Sequence, residues 1–266
     1  RIAFMAGEKG VARKRISFSG TAGHGSMPHG SDNAVVKLSE AVTRIVGYKP
    51  PLETEHLSQV AEGLDMGFIQ RLMITNPLLL RFALGRLERS DPLRAKFIHG
   101  LSRMTVSPNI VSGGMKVNVI PESAYVDLDI RTLPGQDHDY VLSQLRTALG
   151  PLADEATIED PPGPEGRMMS YGNASPSQSG FVDAMERAIR SEIPEGSLVP
   201  LISPGATDCR HLREHGTEAY GFSLFDPSIP MSHLADLAHG ANERVSVRTL
   251  ELTKRVYRHL AKDFLG

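Results

Sequence analysis

Ser123-Ala-Tyr-Val-Asp-Leu-Asp-Ile-Arg131 is the stretch on which the fold turns. Ala124, Val126, Leu128 and Ile130 alternate with Asp127, Asp129 and Arg131. A strand points successive side chains to opposite faces, so this period of two gives one apolar face and one charged face. Lys116–Ile120 reads as a neighbouring strand joined to it by Pro121-Glu122. Upstream, Arg13–Gly20 alternates in the same way, with Ile16 and Phe18 on one side and Ser17 and Ser19 on the other. A helix is expected from about Asn33, capped by Ser31 or Asp32, with Val35, Leu38, Val42 and Ile45 as its apolar stripe. Another is expected from about Asp139 to Leu149, followed by a short strand at Ala156–Glu159. Strand, helix, two strands, helix, strand is the order of a two-layer α+β unit with a mainly antiparallel sheet. Residues 55–104, rich in Leu, Met, Phe and Arg and broken by Pro77 and Pro92, read as several short helices.

Asp160-Pro-Pro-Gly-Pro164 is a linker by composition. Beyond it the pattern gives a helix (Gly180–Glu192), a strand (Leu198–Ile202), a short helix (Thr207–His215) capped by Gly216, a strand (Glu218–Leu224), a long loop and a final amphipathic helix (Val247–Phe264). Alternating helix and strand points to part of an α/β layer with parallel pairing.

The sequence has 266 residues, room for one large domain or two modest ones. A net charge of −2 gives no electrostatic case for nucleic acid or an acidic membrane as partner. No apolar run is long enough to span a bilayer. Cys209 is the only cysteine, which fits a reducing, cytoplasmic compartment. Arg1–Lys9 has no apolar core or cleavage pattern of a leader. The chain begins abruptly in what reads as a strand, as a truncated or processed chain would.

Ten histidines are present, and His56, His99, His138 and His259 sit in ordinary polar or amphipathic contexts. His239 lies in Ala238-His-Gly-Ala-Asn-Glu-Arg244, on a loop where Gly240 leaves room and Asn242 and Glu243 are near enough to orient a zinc-binding ring. His24 lies in Gly20-Thr-Ala-Gly-His-Gly-Ser-Met-Pro-His29, flanked by glycines that leave its ring open to donate a hydrogen bond to an oxyanion. Taken singly, each is better explained as a loop histidine. Arg131, at a strand end, suits bidentate recognition of a carboxylate, or equally an ion pair with Asp127 or Asp129. Asn118 on the neighbouring strand offers an amide. Ser203–Arg210 is a strand-to-helix turn whose N–H groups and Thr207 hydroxyl suit an anion, or a plain helix cap. There is no His-Glu-x-x-His, no Gly-x-Ser-x-Gly and no phosphate-binding lysine loop. Cys209 and His211 diverge on a helix, which excludes a cysteine-protease dyad.

Glu8-Lys9-Gly10, Gly20–Pro28 with Asn33-Ala34, Val117-Asn118-Val119-Ile120-Pro121, Asp129-Ile130-Arg131, Gly205–Arg210 and His239–Glu243, in this order, resemble the zinc-dependent amidohydrolase and peptidase family. That family includes aminoacylase, acetylornithine deacetylase, succinyl-diaminopimelate desuccinylase and carboxypeptidase S. The carboxypeptidase S and N-acyl-amino-acid hydrolase branch looks most similar. The resemblance implies an α/β protein: an α+β lid that forms a homodimer, at residues 11–160, beside the C-terminal part of an α/β catalytic domain at residues 161–266, with residues 1–10 ending its N-terminal segment. It implies two zinc ions, one held by His239. It implies oxyanion stabilisation by His24 reaching into the partner's site, and substrate binding by Asn118, Arg131, Gly205, Thr207 and Arg210. The substrate class implied is an N-acyl amino acid or small peptide. The family's His-x-Asp pair and adjacent Glu-Glu pair have no counterpart in the sequence. The chain therefore reads as a portion of such an enzyme, inactive alone. The alternative is a non-catalytic dimerisation or ligand-binding module of the same descent.

Overall fold

In the computed structural model, residues 1–54, 56–63, 66–167, 169–224 and 243–266 are described. Strands β1 (Ile2–Glu8), β2 (Ala12–Ser19) and β3 (Gly23–His24) precede helix α1 (Ala34–Gly47). Four helices follow: α2 (Leu57–Gly63), α3 (Phe68–Thr75), α4 (Pro77–Ser90) and α5 (Pro92–Leu101). Next come β4 (Thr105–Gly113), β5 (Val119–Ile120), β6 (Ser123–Arg131), α6 (His138–Leu149) and β7 (Ala156–Glu159). The chain continues through α7 (Pro164–Arg167), β8 (Asn173–Ala174), α8 (Gly180–Arg190), β9 (Leu198–Ser203), α9 (Cys209–Glu214) and α10 (Val247–Leu265).

The caps are local and chemical. Asn33, rather than the expected Ser31 or Asp32 just before it, accepts from the Val35 N–H at 2.9 Å and starts α1. Pro77 and Pro92 do not merely interrupt: each opens a helix at its first turn, behind Asn76 and Asp91 caps. Asp137, Ser179 and Ser246 cap α6, α8 and α10.

One sheet has the order β4-β6-β2-β7 and is antiparallel throughout. Its apolar face carries Ile16, Phe18, Val126, Leu128 and Ile130, which pack under Leu38, Ala41 and Ile45 of α1 and Val141 and Leu145 of α6. Each such side chain contributes roughly 2 kcal/mol on burial. The opposite face is polar: Arg15 donates twice to Asp127 at 2.7 Å and lies 3.7 Å over the Tyr125 ring. This is the two-layer unit expected from the alternation in β6.

Two expectations fail in detail. Lys116–Ile120 is not the partner of β6; only Val119–Ile120 is extended, and it pairs with β3. The partner is β4, whose Pro108 lies at a break in register before Ile110. A proline has no N–H for the ladder, so the strand bulges there and its alternation is lost. Glu218–Leu224 is not a strand either; Gly221 makes an isolated bridge with Met5.

A second sheet, β8-β1-β9, pairs β1 parallel with β9 and antiparallel with β8. Phe4 and Ala6 pack against Met185 and Ile189 of α8 and Val256 and Leu260 of α10. On the other side, Ala3, Met5 and Leu201 share a core with Leu57, Leu80, Ile98 and Leu101 of the helical segment. The two sheets meet at Gly10, where an added Cβ would lie 2.3 Å from the Gly172 nitrogen, so only glycine fits the crossing.

Candidate functional site

The expected site residues that are described gather beyond the two ends of the four-stranded sheet. Beyond the Ser19 end, β3 and β5 set His24 opposite Val119, and the Gly25 N–H donates to the Asn118 carbonyl at 2.9 Å. His24 and Asn118 are thus neighbours, and both are exposed. The Ser26 N–H donates to His24 Nδ1 at 3.2 Å, and Ser26 Oγ lies 2.7 Å from the same nitrogen. A backbone amide can only donate, so Nδ1 is the acceptor and the neutral ring carries its proton on Nε2. The outward nitrogen is therefore a hydrogen-bond donor.

Arg131 lies at the opposite end. The strand β2 alone separates the two ends by about 23 Å at its usual rise per residue. Arg131 donates to both oxygens of Asp129, at 2.9 and 3.0 Å, so its guanidinium takes the ion-pair alternative.

Close to this end, across the Gly10 junction, lies the turn after β9. Glu8, 2% exposed, ends β1 opposite Ser203 and Asn173. Its carboxylate accepts from the Thr207 N–H at 2.9 Å and from the Thr207 hydroxyl. Arg213, its side chain 4% exposed, reaches the same carboxylate at 3.4 Å and donates to the Ala219 carbonyl at 2.7 and 2.9 Å. The anion that the turn was expected to hold is thus the chain's own Glu8, and both Thr207 donors are given to it. Gly205 stays exposed, and the Arg210 Nε is buried with no hydrogen-bond partner among the described residues. Lys9 turns the other way: its Nζ donates to the carbonyls of Gly100, at 2.6 Å, and Arg103, at 2.9 Å. Burial first, and the Arg131 charge second, push Lys9 down to about 7.

His239 falls in residues 225–242, outside the described residues. Among the described residues no group of three or more His, Cys, Asp or Glu is placed to hold a metal ion. The described side chains therefore do not make the zinc site that the sequence resemblance implies, and no metal-dependent step is assigned to them.

A family model, the peptidase dimerisation domain, matches residues 6–157. The chain belongs to the M20 peptidase family. It is 23% identical over 258 residues to a probable carboxypeptidase S-like 2 of Dictyostelium discoideum, covering 96% of this chain and 47% of that protein. It is 26% identical over 270 residues to the N-fatty-acyl-amino acid synthase/hydrolase PM20D1 of Xenopus tropicalis, covering 96% and 48%. Among solved structures, an M20 family metallo-carboxypeptidase, Sso-CP2 of Sulfolobus solfataricus, overlays with a TM-score of 0.58 at 18% identity, over 99% of this chain and 59% of that one. The chain spans about half the length of the curated relatives it matches.

This M20 chain has the fold class read from its sequence, an antiparallel lid sheet beside an α/β layer. Among the described residues no helix is long and apolar enough to cross a membrane. Sequence reasoning missed Glu8 and Arg213 as parts of the turn. Their link to Thr207 spans 199 positions for Glu8, and no local pattern announces it.

Proposed function

We propose that this chain is the lid and substrate-binding part of a dimeric, metal-dependent M20 amidohydrolase acting on amide bonds in N-acyl amino acids or small peptides. The observation that carries the reading is His24: exposed, fixed as an Nε2 donor by Ser26, and beyond the far end of β2 from Arg131, a strand about 23 Å long. A histidine so far from the rest of its own site serves a second copy's site in a two-fold dimer, where each protomer donates the same residue to the other. There its Nε2–H meets the oxyanion formed as the amide carbon is attacked. Asn118, beside it, adds an amide contact. Arg210, with Arg131 nearby once released from Asp129, receives the substrate carboxylate, and Gly205 leaves the turn open to the approaching acyl group.

The dimer surface in this reading is the free edge of β4 with α1. β4 pairs only with β6 among the described strands, Ile110 and Val111 are exposed, and a cleft of about 300 Å³ lies between α1 and β4. His239 is assigned to zinc from the sequence resemblance, and the remaining ligands and the general base are assigned outside the described residues. The 266-residue chain alone is accordingly inactive in this reading.

The test is an assay of N-acyl amino acids of varied acyl length, with zinc, on the chain alone and on the longest natural polypeptide that contains it. Turnover by the longer polypeptide and none by the chain supports the reading. Absence of turnover in both, with a stable dimer, favours a dimerisation module.

A further inference from the structure

We propose that Glu8 is a positioning residue: it fixes the Ser203–Arg210 turn through Thr207 and so aims Arg210 at the substrate. This rests on the reading of that turn as the wall of the substrate pocket.

The argument starts from cost. A carboxylate 2% exposed at the end of a strand has lost its hydration, a penalty of several kcal/mol before compensation. An apolar side chain would fill the same place without it. Arg213 offsets only part, because its guanidinium is shared with the Ala219 carbonyl, the Ser175 hydroxyl and the Asn173 side chain. The remaining compensation comes from one residue, Thr207, through both its N–H and its hydroxyl. The same hydroxyl then accepts from the Cys209 N–H at 3.3 Å, at the first turn of α9. The Arg210 N–H in turn reaches the Thr207 carbonyl at 3.4 Å. A chain of contacts therefore runs from the buried carboxylate to the backbone of the arginine whose Nε has no partner among the described residues. Asn173, paired with Glu8 across the sheet, closes the loop by donating to the Arg210 carbonyl at 3.2 Å. Thr207 thus acts on the substrate through the geometry of its neighbours, and Glu8 acts through Thr207.

Cys209, the only cysteine, is half-buried inside this turn and reports on it without any added label site. In the 266-residue chain, Glu8→Gln replaces one acceptor oxygen by a donor that faces the Thr207 donors. The maleimide labelling rate of Cys209 is expected to rise about tenfold, the population change that follows from losing a hydrogen bond to a charged group. Thr207→Val, which cuts the link from its exposed side, keeps the test available if Glu8→Gln fails to fold. In the longest natural polypeptide, both variants are expected to raise KM about tenfold for substrates with a free carboxylate, leave kcat within about twofold, and show no further loss when combined. Unchanged Cys209 labelling overturns the proposal. So does a fall in kcat alone, or additive effects in the double variant. If the unmodified polypeptide hydrolyses no N-acyl amino acid, the hydrolase reading fails by itself, and Cys209 labelling still decides whether Glu8 holds the turn.

Discussion

At the Ser19 end of the lid sheet, His24 on the two-residue strand β3 and Asn118, just before β5, stand exposed, and the histidine ring is steadied by its neighbour Ser26. At the Arg131 end the side chains of Glu8, Lys9 and Arg213 are buried, Glu8 bonded to Thr207 and Arg213 and Lys9 to the Gly100 and Arg103 carbonyls. The exposed end has side chains that reach outward and little that depends on them. The buried end has side chains on which the surrounding backbone depends. In the proposed function, chemistry that needs a second protomer is assigned to the first kind of surface, and geometry preset within one chain to the second.

Substitutions at the two ends should therefore fail in different ways. The largest effect is expected for His24→Ala in the longest natural polypeptide: kcat falls about 100- to 1000-fold, as when an oxyanion donor is removed. The melting temperature stays the same because the ring is exposed. A matching fall in stability would place His24 in the folding ledger and break the contrast. At the buried end, Arg213→Met leaves the Glu8 carboxylate with Thr207 alone. Urea unfolding should show a loss of about 3 kcal/mol, the cost of orphaning one member of a buried pair.

The free edge of β4 gives a smaller, more specific effect. Ile110→Asp with Val111→Asp should weaken self-association about thirtyfold by analytical ultracentrifugation, from the roughly 2 kcal/mol cost of desolvating charge against an apolar edge. Secondary structure should not change.

The last effect is a slope, at most about 1.4 kcal/mol per pH unit. Lys9 is pushed down to about 7 in the fold, while an unfolded lysine keeps its proton to far higher pH. From about pH 7 up to the ordinary lysine range the unfolded chain therefore binds more protons, and unfolding free energy should rise with pH. Below pH 7 both states are protonated and this contribution is flat, at its most unfavourable. Lys9→Met should remove the rise; an unaltered slope would contradict the burial argument.

Much of the lid was legible because its strands have one wet face. The alternation in β6 and β2 names their buried residues directly, and β7 follows from its length and flanks. β4 was not legible, because Pro108, Asn109 and the bulge break its period, while Lys116–Ile120 imitates the period although only Val119–Ile120 pairs, and with β3 rather than β6. Glu218–Leu224 has the composition of a strand, yet Gly221 alone bridges to β1. Of the candidate site, the proximity of His24 and Asn118 comes from the pairing of β3 with β5, which lie far apart in the sequence, so no local pattern announces it. The pairing of Arg131 with Asp129 was one of the two alternatives its strand pattern left open, whereas the occupation of Thr207 by Glu8 spans 199 positions and no local pattern records it.

The most direct measurement is complementation. His24→Ala and Arg210→Ala variants of the longest natural polypeptide are co-expressed, and mixed dimers are assayed beside each parent. If His24 serves the partner's site, a mixed dimer keeps one intact site, and random pairing restores about a quarter of the unmodified activity. If the mixed dimers are as inactive as the parents, His24 acts within its own chain or not at all, and the account of the exposed end is wrong.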